Sequence, residues 1–442
     1  MATGTFAFYD DARARTFEPF ALSRPFCEMR VGALLIRERW EFALRQRTIS
    51  FVGAAQLEDF IEEGAPRFAG DTIPAGTILV NARAAVALWN PMVNPMPDAL
   101  SDTPPADDAA SASRAAITPR SWYVDGRIAA TRLTHDVATH DLRDGTLTLD
   151  EIARQHAGAH LYPPVVMLEG VWIDEVWDIV RHLSSLLITD IPDIASDTDC
   201  GMVTGATTAN APVVTGVHGL HVEHGATIEP FTFFDTTLGP VLVRNGSTVQ
   251  AFTRVVGPCY IGRDCVVTAD RISGCSIGDT CRVHGELSST VFIGQSNKGH
   301  DGFVGHSIVG RWVNMGAGTI TSNLKNTYGT VALWTPDGIR DTGMQFLGTL
   351  FGDHVKTGIG LTLTTGCVLG MAANVFNAMP PKVVEPFAWG SHVPYESYDA
   401  EKFLATAARM MSRRHVELTA DACAHLRTVY AARWFATATR VL

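Results

Sequence analysis

The chain contains no CxxC pair. Its eight cysteines stand at 27, 200, 259, 265, 275, 281, 367 and 423. A zinc ribbon is therefore not expected, and the thiols read as small core residues kept reduced. Basic charge is also short. Lys and Arg total 35 against 46 Asp and Glu, a net charge of −11, which argues against general nucleic-acid binding. Only 18% of residues are charged, little for a helical bundle. The opening "MATGTFAFYDDARARTF" lacks an apolar run behind basic residues, so no leader is expected. The most apolar helical stretch, "VWIDEVWDIVRHLSSLLITDI", is interrupted by Asp174, Glu175, Asp178, Arg181 and His182, which rules it out as a membrane span. The expectation is a soluble cytoplasmic protein with neither membrane nor nucleic acid as partner.

What is present is apolar and rich in turns. Of 442 residues 46% are hydrophobic and 39 are glycine, enough for two or three domains. The first, over 1–195, reads as α/β. "TFAFYD", "TISFVG" and "GTILVNARAAV" look like strands. Between them, a helix opened by Pro25 and the helical "AAQLEDFIEEG" favour a parallel sheet. Residues 96–117 are small, polar and Pro-containing, and read as a surface loop. Asp125-Gly126 between two short apolar runs signals a hairpin. An amphipathic helix follows around 172–187.

From about 212 the texture changes. Val243, Val249, Val255, Ile261 and Val267 recur every sixth residue. Ile277 and Val283 do the same, then Val309, Met315 and Thr321, then Phe351, Thr357, Leu363, Leu369 and Val375. A helix cannot keep that period on one face. A parallel β-helix can, because each flat side uses about six residues and turns one of them inward. Residues 212–380 would give about nine coils stacked at the usual strand spacing. The period breaks at 295–305 and at 325–348, where extruded loops are expected. The tail, 395–442, is helical by its apolar spacing and reads as a cap or packing arm.

One stretch carries chemistry. "GHDGFVGHSIVGRWVNMGAGTITSN" resembles the hexapeptide-repeat acetyltransferase domain of the bifunctional uridyltransferase and acetyltransferase that makes UDP-N-acetylglucosamine. The likeness rests on Gly299-His300, Val313-Asn314, the turn Gly316 to Thr321, and Asn323. The resemblance implies a left-handed β-helix and a homotrimer, with acyl-CoA lying between neighbouring β-helices. It also implies that His300 is the general base for an amino-sugar phosphate attacking acetyl-CoA. Asn323 would hold the oxyanion or the donor's amide, Asn314 the sugar, and Lys298 a phosphate. The family's two tyrosines are replaced by Phe303 and Leu324. "NLKNTYG" and "GDHVKTGI" resemble a divergent GlmU-like branch of sugar nucleotidyltransferases. That likeness adds Lys325, His354 and Lys356 as candidate substrate contacts. A γ-carbonic-anhydrase-like metal site is the alternative for His300 and His306. It needs three imidazoles aimed at one point, and the spacing does not supply the third, so no metal ligand is assigned.

"YDDARARTFEPFALSRPF" resembles the phosphate loop of sugar-nucleotide pyrophosphorylases, with Arg15, Pro19, Arg24 and Pro25 kept and the glycines missing. Arg15 and Arg24 are the candidate nucleotide-phosphate contacts for UTP or dTTP, with Mg²⁺ if nucleotidyl transfer operates. The strand that would end in a metal carboxylate ends instead as Asn81-Ala82-Arg83. Arg30, Arg37 and Arg39 are expected on a solvated helix face if the domain only binds or supports. The readings left open are acyl transfer with or without nucleotidyl transfer, nucleotidyl transfer alone, and a non-catalytic scaffold.

Overall fold

The computed structural model describes residues 5–88, 117–157, 164–203, 211–376 and 379–435. The expected loop at 96–117, except Ile117, and the end of the tail beyond Phe435 lie outside the described residues. Two compact units are present. One comprises Met1–Arg15, Pro25–Glu28 and Ile36–Asp174, and the other Thr16–Arg24, Met29–Leu35 and Glu175–Leu442.

The first unit is built on a seven-stranded mixed sheet. Phe6–Tyr9 and Ile78–Asn81 lie side by side in parallel at its centre, and all eight of their residues are buried. Their unbroken apolar runs suit strands covered on both faces. Thr48–Val52 extends the sheet in parallel on one side. On the other, Ser121–Val124 and Arg127–Arg132 form the expected hairpin, with Asp125 (φ 47°) and Gly126 (φ 72°) both left-handed.

Three expected elements differ. The helix placed after Pro25 starts only at Ile36, because Gly32 (φ 66°) turns the chain into a short Arg30–Val31 and Leu34–Leu35 ladder. "AAQLEDFIEEG" gives a single 3₁₀ turn, Ala55–Leu57. Only Leu57 and Phe60 of that segment reach the core, and its four acids repel one another along a helix. "GTILVNARAAV" divides into Ile78–Asn81 and Ala84–Val86, the latter paired antiparallel with Gly170–Trp172.

The second unit is a parallel β-solenoid with three inward columns. Down one face, Val243, Ile261, Ile277, Phe292, Val309, Phe351, Leu369 and Val384 are successive register partners. A second column runs Val249, Val267, Val283, Lys298 and, further on, Met315, Thr357 and Val375. The third runs Phe234, Val255, Ile272, Leu287 and Val304. They pack into one core, in which each fully buried aliphatic or Phe side chain contributes about 1.5–3 kcal/mol.

The corners are left-handed backbone. Asp264, Thr280, Gln295, Trp312, His354, Ala372 and Phe387 share one corner, with φ between 50° and 62°. Each corner hangs from the coil before it: His354 N–H donates to Arg311 O, Ala372 N–H to Asp353 O and Phe387 N–H to Met371 O, all at 2.8 Å. Such backbone costs a non-glycine residue about 1–2 kcal/mol, which the ladder on either side must offset.

The break expected at 295–305 is not an extrusion. Asn297–Lys298 and Phe303–Gly305 keep register with Arg282–Val283 and Glu286–Ser288. The period looked broken because a lysine occupies an inward position. The second break is real: between Thr321 and Thr349 the chain leaves the coil and forms the hairpin Ala332–Thr335 and Gly338–Asp341. The tail forms Ala400–Ser412 and Ala420–Ala431, capped by the side chains of Asp399 and Thr419. Phe403, Leu404, Leu426 and Val429 pack on Ala372 and Phe387, so the tail is an arm laid along that corner.

Candidate functional site

In the first unit, the ends of the central strands gather charge. Asp10 and Asp11 follow Phe6–Tyr9, while Asn81 ends Ile78–Asn81 and Arg83 lies two residues on. Asp10 accepts the Phe26 N–H at 3.1 Å; burial pushes its carboxyl up to about 7, against the pull of that bond and of Arg15. Asp11 accepts Arg83 Nε (2.9 Å), Arg83 Nη2 (2.7 Å) and Asn81 Nδ2 (2.9 Å). Burial opposes its charge, yet the hydrogen bonds and charge of Arg83, with Asn81 and the Ala14 N–H, hold it below the usual carboxylate range. Arg83 reaches on to Asp174 at 2.6 Å, and Asp174 also takes Arg127 at 2.9 Å.

Arg15 does not face an open phosphate site. Its guanidinium donates to three backbone carbonyls: Asp10 O at 2.8 Å, Leu142 O at 3.0 Å, and Arg143 O. It staples the loop at Gly145, where an added Cβ would stand 2.7 Å from Arg15 Nε. Arg24 belongs to the solenoid unit, is 2% exposed and forms an ion pair with Asp353 at 2.7 Å. Arg37 and Arg39, expected on a solvated face, are 5% and 0% exposed; Arg37 pairs with Glu28 at 2.6 Å and Arg39 donates to Val86 O at 2.8 Å. Arg30 is likewise buried, donating to Ile293 O at 3.3 Å and to Ala33 O. The partners of Arg24 and Arg39, and Ile293 for Arg30, lie far away in the chain, where the sequence could not reveal them.

Among the described residues, no group of three or more His, Cys, Asp or Glu side chains is placed to hold a metal ion. Mg²⁺ therefore finds no open carboxylate set here: Asp11 is held on both oxygens by Arg83, and Asp174 by Arg83 and Arg127.

In the solenoid the nominated residues separate into three places. His300 is exposed, on a turn that stacks over the next coil's turn: Gly318 N–H donates to Asp301 O at 2.9 Å. Asn314 sits one coil on from Asn297 and accepts its Nδ2 at 2.9 Å. Lys298 does not point outward to a phosphate. It is 0% exposed, its ammonium donates to the carbonyls of His284 (3.2 Å) and His300, and burial lowers its pKa to about 8.

Asn323 is not beside His300. Its Nδ2 donates to His306 Nδ1 at 2.9 Å, which leaves the hydrogen of the neutral imidazole on Nε2. His306 occupies a left-handed corner (φ 48°), stacks on Phe346 at 5.2 Å, and is pushed by burial down to about 4. With Ser289, Gln345 and Arg181 it lines a cavity of about 320 Å³. Its pairing with Asn323, 17 positions on, depends on one coil stacking over the next, which no local pattern signals. Lys325 lines a second cavity, of about 440 Å³, with Ser322, Thr362, Thr364 and Thr365. Lys382 is lowered by burial and then by the charge of Lys325, so two ammonium groups share that field.

His354 and Lys356 lie under the C-terminal arm. The His354 ring meets Phe403 edge-on at 5.4 Å and stacks on Trp312 at 6.4 Å. Lys356 Nζ donates to His354 O (3.2 Å) and contacts Met410 Sδ (3.3 Å), and burial lowers its pKa to about 8.

Comparison with known proteins agrees with this architecture. Residues 6–199 match the sugar nucleotidyl transferase family. Over 91 residues the chain is 32% identical to a bifunctional sugar-1-phosphate nucleotidylyltransferase/acetyltransferase of Sulfurisphaera tokodaii, a stretch that is 21% of this chain and 23% of that one. Over 116 residues it is 31% identical to the bifunctional protein GlmU of Methanococcus vannielii, 26% of each. The chain thus spans only 23% and 26% of the lengths of these relatives. The chain is thus similar to the sugar nucleotidyl transferase family over residues 6–199, and to these two bifunctional relatives over 91 and 116 residues.

Proposed function

We propose that the solenoid transfers an acyl group from acetyl-CoA or a related acyl-CoA to the amine of a sugar phosphate, as a homotrimer. The amine nitrogen forms the new bond to the acyl carbon, the C–S bond breaks, and the amine proton passes through His300 to the leaving thiolate. The carrying observation is the open imidazole of His300 on a solenoid turn stacked directly over the Gly316–Thr319 turn, with Asn314 on the strand leading into that turn. An imidazole suits the role because its ordinary pKa lies near working pH.

The test is CoA thiol release from acetyl-CoA with glucosamine-1-phosphate and related amino sugars. His300→Ala is expected to lower the rate by about 10²–10⁴-fold. Equal rates for wild type and variant would remove the reading. A second reading, nucleotidyl transfer to a sugar-1-phosphate, is favoured by the family match over residues 6–199. Pyrophosphate release from UTP or dTTP with a sugar-1-phosphate tests it.

A further inference from the structure

We propose that Arg83 is a built-in cation standing where a divalent metal would bridge Asp11 and Asp174, so that the first unit takes phosphorylated ligands without a metal. That it takes such ligands rests on the nucleotidyl-transferase reading above; that the carboxylate pair binds no metal does not.

Both oxygens of each carboxylate already accept from a guanidinium. Asp11 Oδ1 accepts Arg83 Nε (2.9 Å) and the Ala14 N–H (3.0 Å), and Oδ2 accepts Arg83 Nη2 (2.7 Å) and Asn81 Nδ2 (2.9 Å). Asp174 Oδ1 accepts Arg83 Nη1 (2.6 Å), and both of its oxygens meet Arg127 Nη1 (2.9 and 3.0 Å). Two carboxylates and two guanidinium groups balance in charge with no ion added. A hard cation such as Mg²⁺ needs about six oxygens in a close shell, and the guanidinium fork fills the space between the carboxylates.

Arg83 is also fixed in place. It is 6% exposed, its N–H donates to Asn81 Oδ1 at 2.9 Å, and its carbonyl accepts the Ile173 N–H at 3.0 Å. The ring of Trp172 lies 5.4 Å from its guanidinium carbon and 3.9 Å from that of Arg127. Asn81 serves both partners, bonding Asp11 through its amide and Arg83 through its oxygen. The Asn81-Ala82-Arg83 strand end, which in sequence reads as the loss of a carboxylate, is in structure the gain of a guanidinium.

The experiment is a Mn²⁺ titration of the full chain without nucleotide, read by electron paramagnetic resonance. Wild type is expected to hold no Mn²⁺ at millimolar metal. Arg83→Met is expected to gain one Mn²⁺ per chain and to lose it again when Asp11→Asn is added. A wild-type chain that binds one Mn²⁺ and loses it with Asp11→Asn overturns the proposal, as does a folded Arg83→Met chain that binds none. If Arg83→Met does not fold, the wild-type titration decides alone. UTP binding by calorimetry is then compared in Mg²⁺ and in EDTA. Equal affinity supports the proposal and loss in EDTA overturns it. Absence of UTP binding in both counts against the nucleotidyl-transferase reading and leaves the metal question to the Mn²⁺ result.

Discussion

Asn323 Nδ2 lies 2.9 Å from His306 Nδ1, and the two residues bracket the point where the solenoid gives way to its hairpin. His306 hangs from the previous coil through its N–H to Ser288 O (2.8 Å) and holds the next through its own carbonyl and Gly348 N–H (2.9 Å). The Asn323 carbonyl accepts the Leu347 N–H at 2.9 Å. The pair therefore closes the gap left by the extruded segment. His306→Ala leaves the Asn323 amide without its acceptor and is expected to cost about 1–3 kcal/mol in urea unfolding.

The same imidazole makes stability depend on pH. Burial lowers its pKa from 6.5 to about 4. Between those values the unfolded chain binds a proton that the folded chain does not, so the contribution is complete above pH 6.5 and is lost as pH falls toward 4. Its size is at most about 3 kcal/mol, less for a ring that keeps some solvent contact. Glu18, raised by burial to about 7, slopes the other way in the same unit. The informative quantity is thus the difference between wild type and His306→Gln. On going from pH 7.5 to pH 5, the urea midpoint of wild type is expected to fall relative to that of the variant.

Arg24 should behave as a structural residue. Its guanidinium is the charge partner of Asp353, which also accepts Ser23 Oγ at 2.7 Å and the Arg311 N–H at 2.7 Å. Arg24→Ala leaves a buried carboxylate uncompensated and is expected to lose about 3–5 kcal/mol. UTP affinity below the unfolding transition is expected to match wild type. A large fall in affinity with unchanged stability would return Arg24 to the nucleotide.

Lys298 gives a prediction of opposite sign. It stands in line with Val267 and Val283 in a column of apolar side chains. Lys298→Met removes a desolvated ammonium and fills the same volume, and is expected to raise stability by about 1 kcal/mol. Its cost is the two carbonyl bonds to His284 and His300. Denaturant midpoints at neutral pH decide between the two effects.

The solenoid was legible because its inward residues repeat at a fixed interval. Val243, Val249 and Val255, six apart in the chain, head for three different columns, as flat sides of equal length require. Lys298 hid in that pattern, since periodicity counts apolar letters and a lysine at an inward position reads as an interruption. The His306–Asn323 pair and the Arg24–Asp353 pair were illegible for another reason. Both join residues whose approach depends on coil stacking, and stacking order is not written in any local stretch. The hairpin at Asp125-Gly126 was readable because two left-handed residues suffice to specify it. In the first unit, the missing carboxylate at the strand end was visible in sequence, but the guanidinium that replaces it became visible only with Asp11 and Asp174 around it.

The chain departs from its own ladder after Thr321 and rejoins it at Thr349, with Val309 still facing Phe351. Alignment survives the detour, so the coil tolerates foreign material there. The Pro336-Asp337 tip, between strands that pair with each other, is a natural graft point. An epitope or a fluorescent reporter spliced into it would ride outside the prism and leave the stacking of coils untouched.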